Sequence, residues 1–308
     1  MIYHIEKKDV LLYNSREVKE LEMEENKYNI GIISDTACDL SEQLLTEHNI
    51  ELIPYYVNVD GKEYRSGTEI TVQQMFDLAN KHKKLPKTSQ ITPAKFYDYF
   101  NEFLTKYDRI IYLGLGSGFS GTFSNACLAA NDIGDGKVYC LDTQNLSSGE
   151  GLLVLKAASL RAKGETFEDI IKEVERCVPL TRTQFCINTL QYMYYGGRCS
   201  GTTKLFGTVL NIKPIIRVVD NQMVVAKKPI GFKKALEAIL DYIRADLDNL
   251  DLDNIMITHC LADSDAKYFW EELKKMVPAE SIRETYAESI VSTHCGPRTI
   301  GILYILKK

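Results

Sequence analysis

The sequence has little that would fasten it to a membrane, a nucleic acid or a metal. No apolar run approaches the roughly 20 residues that cross a bilayer. The amino terminus, M-I-Y-H-I-E-K-K, turns polar within a few residues and reads as neither a signal nor a transit peptide, so the expected location is the cytoplasm. Positive charge is not in excess. Lys and Arg number 37 against 42 Asp and Glu, a formal net charge of -5. That argues against nucleic acid or an anionic lipid surface as partner, since clustered cations are what hold phosphates. Only five histidines occur, and the eight cysteines stand singly at 38, 127, 140, 177, 186, 199, 260 and 295. With no C-x-x-C and no His at ligand spacing, no metal site and no other cofactor are expected, and the cysteines read as buried reduced thiols. No pair of carboxylates is set out for acid and base work.

What is present is an ordinary globular composition, 45% hydrophobic and 26% charged over 308 residues, long enough for two domains. The chain is organised around Arg109 to Asn125, R-I-I-Y-L-G-L-G-S-G-F-S-G-T-F-S-N. Ile110 to Leu113 form a short continuous apolar run, as in a strand buried on both faces of a parallel sheet. Gly114, Gly116, Gly118 and Gly121 then let the backbone turn, and Ser117, Ser120 and Thr122 place hydroxyls where the next helix starts. A helix start carries unpaired N–H groups and the positive end of the macrodipole, so it attracts anions. The plainer reading, that Ser120 only caps the helix, is equally open at this point.

Residues 1–27 are rich in Glu and Lys and read as an extension, one helix at most. Residues 28–177 read as an α/β domain with a parallel, Rossmann-like sheet. The run N-I-G-I-I-S before Asp35-Thr36, the run at 109–114 and K-V-Y-C-L before Asp142-Thr143 are its strands. All three end in small hydroxyl-bearing loops, which a parallel sheet brings to one edge, where open α/β sheets bind ligands. Asp60-Gly61 between β-rich runs predicts a hairpin, Thr71 predicts a helix cap, and Thr92-Pro93 predicts another. Thr88 and Ser89 fall in a loop and are not needed for that cap. Ser148 to Ala162 is predicted helical. Residues 178–308 read as an α+β domain, with a hairpin at Asp220-Asn221, helices over 232–247 and 264–276, a loop S-T-H-C-G-P-R at 292–298 and a last strand, I-G-I-L-Y-I-L.

Three chemistries compete on these residues. Gly116-x-Gly118-x-x-Gly121 after a strand spells a dinucleotide fingerprint, though its strand is not the first of the sheet and its hydroxyls are not what a pyrophosphate requires. Ser120 with His294 and an Asp would make a serine hydrolase, but Ser120 sits in G-F-S-G-T and not in the nucleophile elbow G-x-S-x-G. Arg198, after Gly196-Gly197, suits an oxyanion or simply solvent. What remains is neutral hydroxyls, one histidine and helix amides around an anion, which describes a binding site for a carboxylate better than an active site.

The motifs S-D-T-A-C-D-L at 34–40, D-G-K-E-Y-R-S-G-T-E-I-T at 60–71, K-T-S-Q-I-T-P at 87–93 and G-F-S-G-T-F at 118–123 resemble those of the bacterial DegV family. Y-G-G-R-C-S at 195–200, L-N-I-K-P-I at 210–215 and H-C-G-P at 294–297 extend the resemblance from Tyr28 to the end. It implies two α/β domains that bind a long-chain fatty acid at their junction. Some members of the family are the binding subunit of a fatty acid kinase, so the resemblance also implies no enzymatic activity of the chain's own and a separate kinase as partner. Carried over residue by residue, it places the carboxylate at Thr88 or Ser89, at Ser120 with Gly121 and Thr122, and at His294. Arg198, and the loop of Asp35 and Thr36, come near the head group or the kinase surface. The family's H-x-G-P-G reads H-C-G-P-R here, with Arg298 after Pro297, and Phe123 stands where Tyr is common.

Overall fold

The computed structural model describes residues 28–200 and 211–308, so the extension 1–27 lies outside the described residues. Strands β1 (Ile30–Asp35) and β2 (Ile50–Ile53) flank helix α1 (Glu42–Glu47). Then come β3 (Tyr56–Val59), β4 (Lys62–Arg65), α2 (Val72–His82), β5 (Lys87–Ser89), α3 (Pro93–Phe103), β6 (Arg109–Gly114), α4 (Thr122–Ile133) and β7 (Val138–Asp142). Helices α5 (Ser148–Ala162) and α6 (Phe167–Cys177) lead into β8 (Thr181–Cys186), α7 (Gln191–Gly196) and β9 (Cys199–Ser200). The chain closes with β10 (Ile215–Val219), β11 (Gln222–Lys227), α8 (Phe232–Asp246), β12 (Leu250–Cys260), α9 (Asp263–Leu273), β13 (Ile282–Tyr286), α10 (Ser289–Cys295) and β14 (Thr299–Leu306).

This is a mixed α/β fold. Its first sheet, in the order β2-β1-β6-β7, is parallel throughout, and β1 is buried along its whole length. A separate seven-stranded sheet, β13-β12-β14-β8-β10-β11-β9, is mixed, and β4-β3-β5 make a small antiparallel sheet. Helix α5 explains how the two large sheets stay together. It touches β1 and β6 on one side and β8, β12 and β14 on the other. From Ser148 to Leu155 every residue is buried, and all but Glu150 are apolar or small, as in a helix packed on both sides. Leu152 to Leu155 share one cluster with Ile32, Ile111 and Leu113 of the first sheet and with Met256, Leu303 and Ile305 of the second.

The predicted caps and hairpins are present. Thr71 forms a full capping box with Gln74, Thr92 caps α3 with Pro93 at its start, and Asp60-Gly61 and Asp220-Asn221 turn β3 into β4 and β10 into β11. Two local expectations are corrected. Thr88 and Ser89 lie in a strand, β5, which pairs with β3 at Val57 and Tyr56. Three residues without alternating apolar character give no strand signal of their own; the neighbouring hairpin supplies the ladder. Likewise residues 292–295 finish a helix, α10, and only Gly296 ends it. Its start is fixed from outside. Asp39 accepts from the Glu288 amide at 2.8 Å, and the Ser66 hydroxyl accepts from the Ser289 hydroxyl at 2.8 Å.

Candidate functional site

Between the carboxyl edge of the parallel sheet and the seven-stranded sheet lies a cavity of about 970 Å3, mouth included. Its wall is mostly apolar: Leu115, Phe119 and Leu146 from the first sheet's loops, Phe185, Met223 and Leu303 from the second sheet, Met193 from α7, and Ile290 and Val291 from α10. Elsewhere Thr88, Ser89, Gln90, Ser120, Arg198 and His294 face it.

Thr88 and His294 meet there, with Oγ1 and Nε2 3.0 Å apart. The other ring nitrogen, Nδ1, is buried and has no hydrogen-bond partner. Burial, then the charge of Arg198, lowers the pKa of His294 to about 4, so the ring is neutral near pH 7. Gly196 is required beside it, since a Cβ there would stand 2.8 Å from Nδ1. Arg198 is exposed and donates from Nη1 to the Gly196 carbonyl at 2.5 Å.

Also on the cavity wall, the Ser120 hydroxyl donates to Thr122 Oγ1 at 2.9 Å and accepts from the Thr122 amide at 3.2 Å. It thus braces the first turn of α4 from one residue before the N-cap, Gly121, which has no side chain to cap with. Tyr55 is a member of the wall that sequence reasoning missed. Its hydroxyl lies beside those of Ser120 and Thr122, is buried, and makes no hydrogen bond of good geometry. Burial, with Asp35 nearby, pushes its pKa well up, so it stays a neutral donor. In the sequence it is one of two tyrosines after a proline, and nothing marks it.

The other named residues have their bonds elsewhere. Ser89 is exposed and donates to Glu63 at 3.2 Å. Asp35 lies behind the wall, accepting from the Tyr112 hydroxyl at 2.7 Å and the Ala37 amide at 3.0 Å. Burial holds its carboxyl above the usual range. Thr36 accepts from the Tyr55 amide at 3.0 Å and so helps to place that ring. Arg298 turns away from the cavity, its Nε 2.9 Å from Asp265 and its guanidinium over the Phe232 ring.

Two chemistries fit poorly. At Gly118, where a pyrophosphate would have to approach the backbone, Asn221 of the β10–β11 turn is seated instead; its Oδ1 accepts from the Gly118 amide at 3.1 Å. A Cβ at Gly118 would overlap the Asn221 carbonyl. A Ser-His-Asp arrangement needs a carboxylate on the histidine, and His294 offers Nε2 to Thr88 and leaves Nδ1 unbonded. Among the described residues, no cluster could hold a metal ion and no helix is long and apolar enough to cross a membrane.

Residues 29–307 match the family model described as an uncharacterised protein of the DegV family. A DegV domain-containing protein of Caldanaerobacter subterraneus is 31% identical over 279 residues, 89% of this chain and 98% of its own. Among solved structures, a DegV family protein from Thermus thermophilus, described by its fatty acid binding, superposes with a TM-score of 0.83 at 31% identity, covering 90% of this chain and all of that one. DegV of Bacillus subtilis, described as a fatty acid binding protein, gives 0.82 at 28% identity over 91% of this chain and 100% of that one. With sequence match, fold and chain coverage in agreement, this protein belongs to the DegV family.

Proposed function

We propose that the chain binds one long-chain fatty acid at the junction of residues 28–177 with residues 178–308. The carboxylate lies among Thr88, His294 and Ser120, with Ser89, Gly121, Thr122 and Arg198 around it, and Asp35 and Thr36 hold the loop behind. The observation that carries this reading is an apolar cavity lined by Tyr55 and His294, two residues that each keep a buried polar atom, Oη and Nδ1, without a hydrogen-bond partner. Buried polar groups are ordinarily satisfied, so unmet polar atoms on residues that line an apolar space point to a ligand with one polar end. The description of the Thermus and Bacillus relatives as fatty acid binders supports the same assignment.

The energetics favour it. Burying a methylene is worth about 0.8 kcal/mol, so a long acyl chain gains on the order of 10 kcal/mol in a dry tunnel. Desolvating the carboxylate costs several kcal/mol. Hydrogen bonds to a charged group return about 1.5–3 kcal/mol each, so two or three neutral donors offset that cost.

The chain itself then performs no chemistry on the lipid. It acts in the cytoplasm as the carrier that offers the carboxylate, past Arg198 at the rim, to a separate fatty acid kinase. Displacement of a fluorescent fatty acid from delipidated protein tests the binding step. Oleate should compete and methyl oleate should compete far less; equal competition would contradict a site built for the carboxylate. Acyl phosphate should form only when a cognate kinase is added.

A further inference from the structure

Two of the eight cysteines, Cys260 at the end of β12 and Cys295 at the end of α10, line the same cavity. The backbone brings them together. Cys260 pairs with Thr299 across the β12–β14 ladder, the Arg298 amide donates to the Cys260 carbonyl at 2.7 Å, and the Thr299 hydroxyl donates to the Cys295 carbonyl at 2.9 Å. The short segment from 295 to 299 is thus folded back onto Cys260. Both residues are buried, at 1% and 4% exposure, and the cavity is the space that adjoins them. The neighbouring Cys295 side chain, against the opposing effect of burial and with help from Ser292, holds the Cys260 thiol below its ordinary pKa, which raises its thiolate fraction.

We infer that Cys260 and Cys295 form a reversible dithiol/disulfide site in the cavity wall, oxidised by a hydroperoxide that enters through the mouth. The Cys260 thiolate attacks one peroxide oxygen, the O–O bond breaks, and the departing hydroxide takes up a proton as water, leaving a sulfenic acid. The Cys295 sulfur then attacks the Cys260 sulfur; the S–S bond forms, the S–O bond breaks, and the hydroxyl leaves with the Cys295 proton as a second water. Two thiols lose two electrons and the peroxide gains them. The bond would tie α10, which carries His294, to the end of β12. A second pair of cysteines on packed elements, Cys127 of α4 and Cys140 of β7, lies outside the cavity and serves as an internal control.

The chemistry of the pair does not depend on the lipid reading, but its protection by ligand does. Delipidated full-length protein is treated with hydrogen peroxide, alkylated under denaturing conditions and mapped by peptide mass spectrometry. The expected product is a Cys260–Cys295 cross-link, lighter by two hydrogens, reversed by dithiothreitol and absent in Cys295→Ser, in which Cys260 remains as sulfenic acid trappable by dimedone. Saturating oleate should slow formation of the bond about tenfold. If Cys260 and Cys295 both stay alkylatable under conditions that oxidise Cys127 and Cys140, the inference is wrong. If the cross-link forms but oleate neither binds nor protects, the dithiol stands and the lipid assignment falls.

Discussion

Thr88 and His294 stand 206 positions apart in the chain, yet Oγ1 of the first lies 3.0 Å from Nε2 of the second. One sits on a three-residue strand and the other at the end of a short helix, and the contact closes the polar side of the cavity. If both address a carboxylate, each is worth a charge-assisted bond of about 1.5–3 kcal/mol. Thr88→Val and His294→Gln should then each weaken oleate binding about tenfold to a hundredfold, measured by calorimetry. Because they share one ligand group, the double variant should lose less than the sum of the two losses.

The depressed pKa of His294 sets a pH dependence of stability in the lipid-free protein. Unfolded, the ring titrates near 6.5; folded, at about 4. As pH falls from 6.5 towards 4 the unfolded chain takes up a proton that the folded one refuses, so the stability present above 6.5 is lost by about 3 kcal/mol. Urea unfolding at pH 7.5 and pH 4.5 should show this fall, and His294→Gln should lessen it.

Glu150 works in the opposite sense. It is fully buried on α5, accepts from the Ser34 hydroxyl at 3.0 Å, and leaves Oε2 unbonded. Burial and the neighbouring Asp35 raise its pKa well above the usual carboxylate value. A raised folded pKa gives stability that is whole at low pH and lost as pH rises. Glu150→Gln, which keeps the acceptor without the charge, should therefore be more stable than the parent at pH 8, with the gain shrinking by pH 5. Denaturant midpoints at the two values check this.

Much of the architecture could be read from the residues alone. Ile110 to Leu113 and N-I-G-I-I-S announce buried parallel strands because continuous apolar runs have no other stable place in so polar a chain. The caps at Thr71 and Thr92 and the turns at Asp60 and Asp220 follow from local hydrogen-bond chemistry, which tertiary packing left undisturbed. Strand β5 was not legible, since its pairing comes from β3. Nor were Tyr55 and the cysteine pair, because proximity to Ser120 or to Cys295 arises only when distant segments are folded together. Ser120 itself was ambiguous for a physical reason: a hydroxyl at a helix start can serve the helix and face a ligand at once.

Arg298 shows how a departure from a family motif is accommodated. Its φ of 60° is left-handed, which costs a non-glycine residue about 1–2 kcal/mol. Its half-exposed ion pair with Asp265 and its stacking on Phe232 each return about 0.5–1 kcal/mol. Arg298→Gly should therefore be within about 0.5 kcal/mol of the parent, and Arg298→Ala, which keeps the strain and loses the partners, should cost about 1–2 kcal/mol. Thermal unfolding of the two variants decides it.

The glycine loop is held by Asn221, which accepts from the Gly118 amide and donates to the Ser117 hydroxyl at 2.9 Å. Asn221→Ala removes both bonds at a left-handed position and should cost about 1–3 kcal/mol. Gly118→Ala should be worse than Gly121→Ala. At Gly118 a Cβ meets the Asn221 carbonyl, whereas at Gly121 it meets only the side chain of Gln90, at 3.0 Å. Melting temperatures of the three variants give the order.

On the function proposed, the space behind Thr88, Ser120 and His294 holds an acyl chain. Native mass spectrometry of gently purified protein tests it most directly. A single adduct of fatty-acid mass is expected, removed by delipidation and restored by palmitate or oleate at one molecule per chain. Protein that emerges clean and stays clean in an excess of both would contradict it.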